Sequence, residues 1–365
     1  YTLSEGANPF IPIPGMEEAS LKIFQSQVLL PFSLSDGSMH AFLGPYSNTS
    51  KKKIHNDFLP EDDSTLPFIY SPTIDLTLFS DTTKIFQAFP PPKDKHIQWL
   101  ERVETSKQSD WKEAGIFDFV QLSKYDLNVF NPQMLLSAIF FWNRETRAFE
   151  FPCGFVCPTL LDIAAIIGLK PLGDRYLPDI LEEEIPMKDT SIVWDKKTYS
   201  AFVSAHHGKE GTPMTDFEHI AFLLYWLSAY VFCIPSLQVP KYYYTLAQAL
   251  HLKKKVCLRK LLLASFYTCL DEASKSLFRE IRPRNLTSPL WLLQLWLNSI
   301  FEKKLKLLSL QASIRYSLEG ARLTALTPKK RFVDAFARYV QAILEFEEFS
   351  KDLASFIRSD LEGSS

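Results

Sequence analysis

Residues 140–169 read FFWNRETRAFEFPCGFVCPTLLDIAAIIGL, and a few local signals in this stretch decide how the chain folds. Thr159 with Asp162 three positions later is a capping box, so a short helix opens at Leu160. Gly168 is placed as its left-handed C-terminal cap. Before it, 147–151 alternates polar and apolar side chains as a short strand does, and Gly154 breaks that strand. Upstream, Asn131-Pro132 supplies an N-cap and a proline at the first helical position. The helix predicted over 133–142 has an almost wholly apolar body and must be buried on nearly all sides. The stretch reads helix, turn at 143–146, strand or hairpin, turn, short helix.

Helical periodicity governs the sequence on both sides. Over 96–107 it places Ile97, Leu100 and Val103 on one face, and Asp110-Trp111-Lys112 begins another short helix that Gly115 stops. Thr215 with Glu218 forms a second capping box, opening an apolar helix that carries Tyr225, Trp226 and Tyr230 and ends at Pro235. Helices follow over 241–251 and 254–280, the latter with Leu258, Leu261, Leu262, Ser265 and Cys269 at helical spacing. After a break at Arg282-Pro283-Arg284-Asn285, a very apolar helix over 290–301 carries Trp291 and Trp296. Thr327-Pro328 caps a long amphipathic helix with Phe332, Phe336, Tyr339, Ile343, Phe346, Leu353 and Phe356 on one side. That face either covers the core or docks a partner; Phe332, Phe336, Tyr339, Ile343 and Phe346 are the docking candidates.

Two regions lack this order. Residues 1–95 hold many of the 23 prolines, turn clusters at 36–38 and 61–64, and alternating pieces at 68–70 and 74–79 that read as short strands. With Phe89-Pro90-Pro91-Pro92 at its end, this segment reads as an extended, partly β arm wrapping on the body. Residues 171–212 are polar, with Glu182-Glu183-Glu184, Gly208 and Gly211, and read as a surface excursion. The expected fold is mainly α: a Pro-rich arm over 1–95, a multi-helix globular core over 96–305 with a small β element, and an amphipathic helical extension over 306–365.

Composition narrows the function classes. The 365 residues can bury a core without metals or disulfides. The 29 Phe, 14 Tyr and 7 Trp mean that large rings carry much of the packing. A formal charge of -2 removes the global basic field of a phosphate-binding protein, so any nucleic-acid contact needs a local patch. The 5 cysteines (Cys153, Cys157, Cys233, Cys257, Cys269) are odd in number and sit largely in apolar runs, which favours a reducing compartment. The longest apolar run, 220–234, is short of the roughly 20 residues that cross a bilayer. The chain starts at Tyr1 without a methionine or signal-peptide pattern, as expected of a piece cut from a longer protein.

Signals of catalysis are scarce. No phosphate-cradling glycine pattern and no Gly-x-Ser-x-Gly elbow is present. His206 and His207 are adjacent and point apart on a helix or a strand. As metal ligands they would need distant partners. Cys153 and Cys157 lack the second pair a zinc site requires. The acidic groups at 61–63, 182–184 and Glu345, Glu347 and Glu348 sit in solvated segments and keep ordinary acidities. The expectation is a chain that is not an enzyme and holds no cofactor or metal. The unit Thr159 to Lys170 has the small residues Ala164 and Ala165 and the glycine turn of a helix-turn-helix, against the simpler reading of a packing helix. Basic clusters at Lys51-Lys52-Lys53 and over 253–260 would accompany a nucleic-acid role.

The blocks Trp111-Lys112-Glu113-Ala114-Gly115, Phe141-Trp142-Asn143-Arg144-Glu145-Thr146 and Phe149-Glu150-Phe151-Pro152-Cys153-Gly154 resemble those of the plant mobile domain family, also labelled aminotransferase-like. So do Thr159-Leu160-Leu161-Asp162-Ile163-Ala164 through Gly168, the segment Glu218 to Leu227 with Trp226, and Pro289-Leu290-Trp291 through Trp296. Phe155 stands where the family usually has an acid, and Cys157 where it has Thr or Ile. The signature residues are Trp111, Gly115, Trp142, Phe149, Pro152, Gly154, Thr159, Asp162, Gly168, Trp226, Trp291 and Trp296. The resemblance implies a nuclear, non-catalytic protein-interaction scaffold in transcriptional regulation, transposon silencing and meristem and developmental maintenance. Its partners would be other nuclear proteins, including a protein phosphatase 7-like protein, with no membrane. The alternative is a DNA- or RNA-binding module of transposon origin.

Overall fold

The computed structural model describes residues 32–33, 40–41, 93–126, 131–144, 146–169, 192–254, 256–278, 288–309, 318–328, 335–349, 353 and 355. The expected strands at 68–70 and 74–79, the Lys51 to Lys53 run, the acidic triplet at 182–184 and Phe332 lie outside the described residues. In the arm, Phe32–Ser33 (β1) pairs antiparallel with His40–Ala41 (β2).

Helix α1, Asp94–Glu113, is continuous, where two helices were expected. Its buried His96, Trp99, Leu100, Val103 and Trp111 hold one face through the junction. A Lys107–Asp110 pair one turn apart at 3.4 Å supports that junction. Gly115 at φ +68° ends it, and α2, Phe117–Leu122, follows. Helix α3, Pro132–Ile139, is capped by Asn131, whose side chain accepts from the N–H groups of Gln133 and Met134. It stops before Trp142, which was expected inside it. Trp142 and Asn143 instead form a strand, because pairing with Phe149 and Ala148 satisfies their backbone.

A three-stranded antiparallel sheet follows: β3 (Trp142–Asn143), β4 (Ala148–Phe151) and β5 (Gly154–Val156), in register Trp142↔Phe149↔Val156. Gly154, expected to break the strand, opens β5 at φ +119°. Helix α4, Leu160–Ile167, starts with the reciprocal Thr159/Asp162 capping box and ends at Gly168 with φ +70°. A Cβ at Gly168 would lie 2.3 Å from the Asp118 Cβ, so both the backbone angle and the approach of α2 call for glycine.

The remaining helices are α5 (Tyr199–His206), α6 (Asp216–Trp226), α7 (Tyr244–His251), α8 (Leu258–Phe278), α9 (Leu290–Phe301), α10 (Glu319–Thr324) and α11 (Ala335–Leu344). Helix α6 continues as a π-helical turn, Leu227–Val231. Helix α5 corrects the surface-excursion reading of 171–212 in part: Phe202 and Val203 are buried. Every residue of α9 is buried, including three polar ones. Gln294 accepts from the Asn131 N–H at 2.7 Å, Asn298 donates to the Leu323 carbonyl, and Ser299 donates to the Leu353 carbonyl. These bonds tie α9 to α3, α10 and the C-terminal segment.

The described part of the expected 306–365 extension packs on the core. Leu307–Ser309 (β6) pairs antiparallel with Leu326–Pro328 (β7), so Thr327 and Pro328 form a strand rather than a helix cap. Helix α11 ends at Leu344 and packs on α3. Leu326, Tyr339, Ile343 and Phe346 belong to one core cluster with Trp99, Trp226 and Trp291.

Candidate functional site

The signature segment sits in an aromatic frame. Phe149 stacks on Trp296 at 5.6 Å and meets Trp142 edge-on at 4.9 Å. Phe151 meets Phe141, Phe301 and Phe346. On the other side Phe119 bridges Trp226 and Trp291. Polar edges of the frame are tied to α8: the Trp142 indole donates to Asp271 at 2.8 Å, and the Tyr267 hydroxyl donates to the Pro158 carbonyl at 2.7 Å. Asp162 is buried. One of its oxygens accepts from the Thr159 N–H and hydroxyl, the other from the Ser355 hydroxyl at 2.8 Å. Burial raises its pKa against these hydrogen bonds.

A polar cluster lies between α1, α6, α7 and the loop after α5. Glu218 is its hub: it takes two hydrogen bonds from the Arg102 guanidinium, at 2.8 and 3.1 Å, one from the Trp99 indole at 3.2 Å, and one from the Gly208 N–H at 2.9 Å. Burial works against its charge, yet Arg102 and Gly208 hold its pKa below the usual glutamate value. The capping box expected at Thr215 is therefore half made: Thr215 accepts from the Glu218 N–H, but the Glu218 carboxylate is spent on Arg102.

Beside the hub, the Trp111 indole donates to His219 Nε2 at 2.9 Å, and His219 Nδ1 meets His251 Nδ1 at 2.8 Å. An indole can only donate, so His219 is neutral with its proton on Nδ1, and His251 accepts there. His251 Nε2 then faces Asp216, 3.7 Å away at the surface. Burial, then the neighbouring His251, lowers the His219 pKa to about 3. This chain of donors fixes two tautomers and runs from a buried indole to an exposed carboxylate.

The chemistry available to the described groups is limited by burial. It pushes the Cys157 thiol up to about 11 and those of Cys233 and Cys269 to about 12, away from the reactive thiolate. Among the described residues no group of three or more His, Cys, Asp or Glu side chains is placed to hold a metal ion. His206 accepts the Val193 N–H at 2.9 Å, and His207 bonds the Gly208 carbonyl, so the adjacent pair is split between two tasks. A crevice lined by Met134, Ser137, Leu297, Phe301, Tyr339 and Ile343 is apolar; its one polar side-chain group besides the Tyr339 hydroxyl, on Ser137, donates to the Met134 carbonyl. No described helix is long and apolar enough to cross a membrane.

The family model described as plant mobile domain matches residues 115–329. The chain belongs to the plant mobile domain family. No curated protein and no solved structure matches it. The match takes in the sheet, α4, most of the aromatic frame and Glu218 itself, begins after α1 with its Trp99 and Arg102, and stops one residue past β7. The plant mobile domain is a transposon-derived domain family, and the signature rings Trp142, Phe149, Trp226, Trp291 and Trp296 within the match are all buried, as is Trp111 just before it, whereas Pro152 is exposed.

Two readings of the surface bear on how the chain packs. Tyr339, Ile343 and Phe346 are buried, and Phe336 packs edge-on against Phe140 at 5.5 Å. Of the two readings of this face, core cover and partner docking, its described residues fit the first: they pack on α3 and α9 of the same chain. Of the helix-turn-helix candidate, the residues after Leu169, Lys170 included, lie outside the described residues. Helix α4 is enclosed by α8, α9 and α10, and the basic cluster at 253–260 is divided. Lys253 is held by Asp110 at 3.0 Å and Glu113 at 2.9 Å, and Arg259 is buried, donating to the Leu160 carbonyl. Sequence reasoning missed Arg102 and His251 altogether. Glu218 and His219 stood in view, but only as a helix cap and part of a family block.

Proposed function

We propose that this plant mobile domain protein acts in the nucleus as a non-catalytic protein-interaction scaffold, serving transcriptional regulation, transposon silencing and meristem and developmental maintenance. Membership of the family, over residues 115–329, carries the reading. The site supports it: the Glu218 carboxylate, the His219 and His251 imidazoles and the Asp162 carboxylate are all engaged by groups of the same chain. Such a body presents shape rather than reactivity. Its partners are other nuclear proteins, a protein phosphatase 7-like protein among them, and it works without a cofactor or a membrane.

The test is affinity purification of the tagged full chain from plant nuclei with mass spectrometry of what co-purifies, alongside transposon transcript levels in plants lacking the protein. Stoichiometric recovery of a phosphatase-like partner with raised transposon transcripts is expected. A protein excluded from nuclei, or unchanged transcripts with nucleic acid as the sole companion, would overturn the scaffold reading.

A further inference from the structure

Two segments distant in sequence, 192–199 and 235–243, meet beside the start of α5. The Val239 N–H donates to the Lys197 carbonyl at 2.7 Å and the Tyr199 N–H to the Leu237 carbonyl at 3.2 Å, closing an antiparallel bridge between Thr198 and Gln238. The ribbon is anchored from below. Tyr243 stacks on buried Phe232 at 4.3 Å, and Trp194 meets buried Tyr244 edge-on at 6.0 Å. Tyr242 meets Tyr243 edge-on at 4.4 Å and keeps 63% of its surface exposed, and Leu237, across the ribbon, keeps 51%.

The charge on the same ribbon is lopsided. Lys196, Lys197 and Lys241 are exposed, and Asp195 is its one acid. Lys241 lies over the Trp194 ring at 5.3 Å. Among the described residues none of these lysines joins an ion pair, unlike Lys107, Lys124, Lys253 and Lys304, which all do. An acidic peptide would answer the lysines and leave the exposed Tyr242 ring unused, and an apolar peptide the reverse. A ligand that joins flat π faces to a regular run of negative charge answers both. That ligand is a nucleic acid strand with its bases unstacked.

We propose that the 192–199/235–243 ribbon is a stacking and phosphate-binding platform for single-stranded nucleic acid, with Tyr242 as the stacking residue and Lys196, Lys197 and Lys241 on the backbone. The chain's net charge of -2 makes this a local contact without a long-range field. It is independent of the scaffold reading and uses none of the elements first suspected of nucleic-acid contact.

Fluorescence anisotropy of a labelled single-stranded dT oligonucleotide with the full chain tests it. Tyr242→Ala should weaken binding about tenfold at an unchanged melting temperature, while Tyr242→Phe keeps it. Replacing the three lysines by Glu should lower the slope of log affinity against log salt by about two. No binding at low salt, indifference to all these variants, or equal competition by a duplex of the same length or by poly-glutamate would each overturn the proposal.

Discussion

Trp111 and His219 stand 108 positions apart in the chain and share one buried hydrogen bond, indole Nε1 to imidazole Nε2, at 2.9 Å. The bond sets the His219 tautomer and through it the orientation of His251. Trp111→Phe keeps an aromatic ring against Phe222 and removes the donor. An acceptor left unpaired at this depth should cost about 2 kcal/mol, read as a lower urea midpoint at unchanged slope.

Stability should fall as pH is lowered from 7 to 4. Burial holds the His96 pKa near about 4, below the 6.5 of an unfolded chain. Above 6.5 both states are neutral and the contribution is complete. Below it the unfolded chain takes a proton that the folded chain refuses, for a loss of about 3 kcal/mol by pH 4. His219 acts in the same direction. Urea midpoints measured against pH should show a shallower decline for His96→Phe, which retains the ring stacked on Tyr230.

Gly168 and Gly211 offer a matched pair. Both have positive φ, at +70° and +78°, but a Cβ at Gly211 meets nothing within 4 Å while one at Gly168 strikes Asp118. Gly211→Ala should cost about 1 kcal/mol for the backbone alone. Gly168→Ala should cost about 3 kcal/mol, and the difference in thermal midpoints measures how closely α2 and α4 approach.

The capping box was legible because its parts are local: Thr159, Asp162 and Gly168 lie within one short helix and its ends. Arg102 and Glu218 are 116 positions apart, and no spacing rule reaches that far. Periodicity states which face of a helix is buried and is silent about what buries it. The pattern from Phe336 to Phe346 was visible, but whether a partner or α3 covers it depends on where the chain returns. Thr327 and Pro328 misled for a related reason. Their helix-start pattern is real, but pairing with Leu308 and Leu307 prevails once β6 lies alongside.

Tyr339→Phe removes the hydroxyl that accepts from Asn131 Nδ2 at 2.6 Å, at the cap of α3. A loss of about 1 kcal/mol is expected, with partner recovery unchanged. Truncation before residue 327 should instead give a chain that binds hydrophobic dye and lacks a cooperative melt, since α11 covers the core. Loss of one partner with a normal melt would argue against this assignment.

Ser355→Ala should cost about 1 to 2 kcal/mol by removing a donor to buried Asp162, and much less when Thr159→Ala is already present. A thermal-melt double-mutant cycle checks the coupling, and strict additivity would show that the two hydroxyls act separately.

The Asp162 to Ser355 bond spans 193 positions. On the ribosome, at about 5 to 20 residues per second, roughly 10 to 40 s pass between synthesis of the acid and synthesis of its last donor. Throughout that interval the start of α4 must either stay wet or fold around an incompletely satisfied carboxylate. The most recognisable segment of the chain is thus among the last to reach its final state, and a nascent chain stalled short of residue 355 would be a natural client for chaperones.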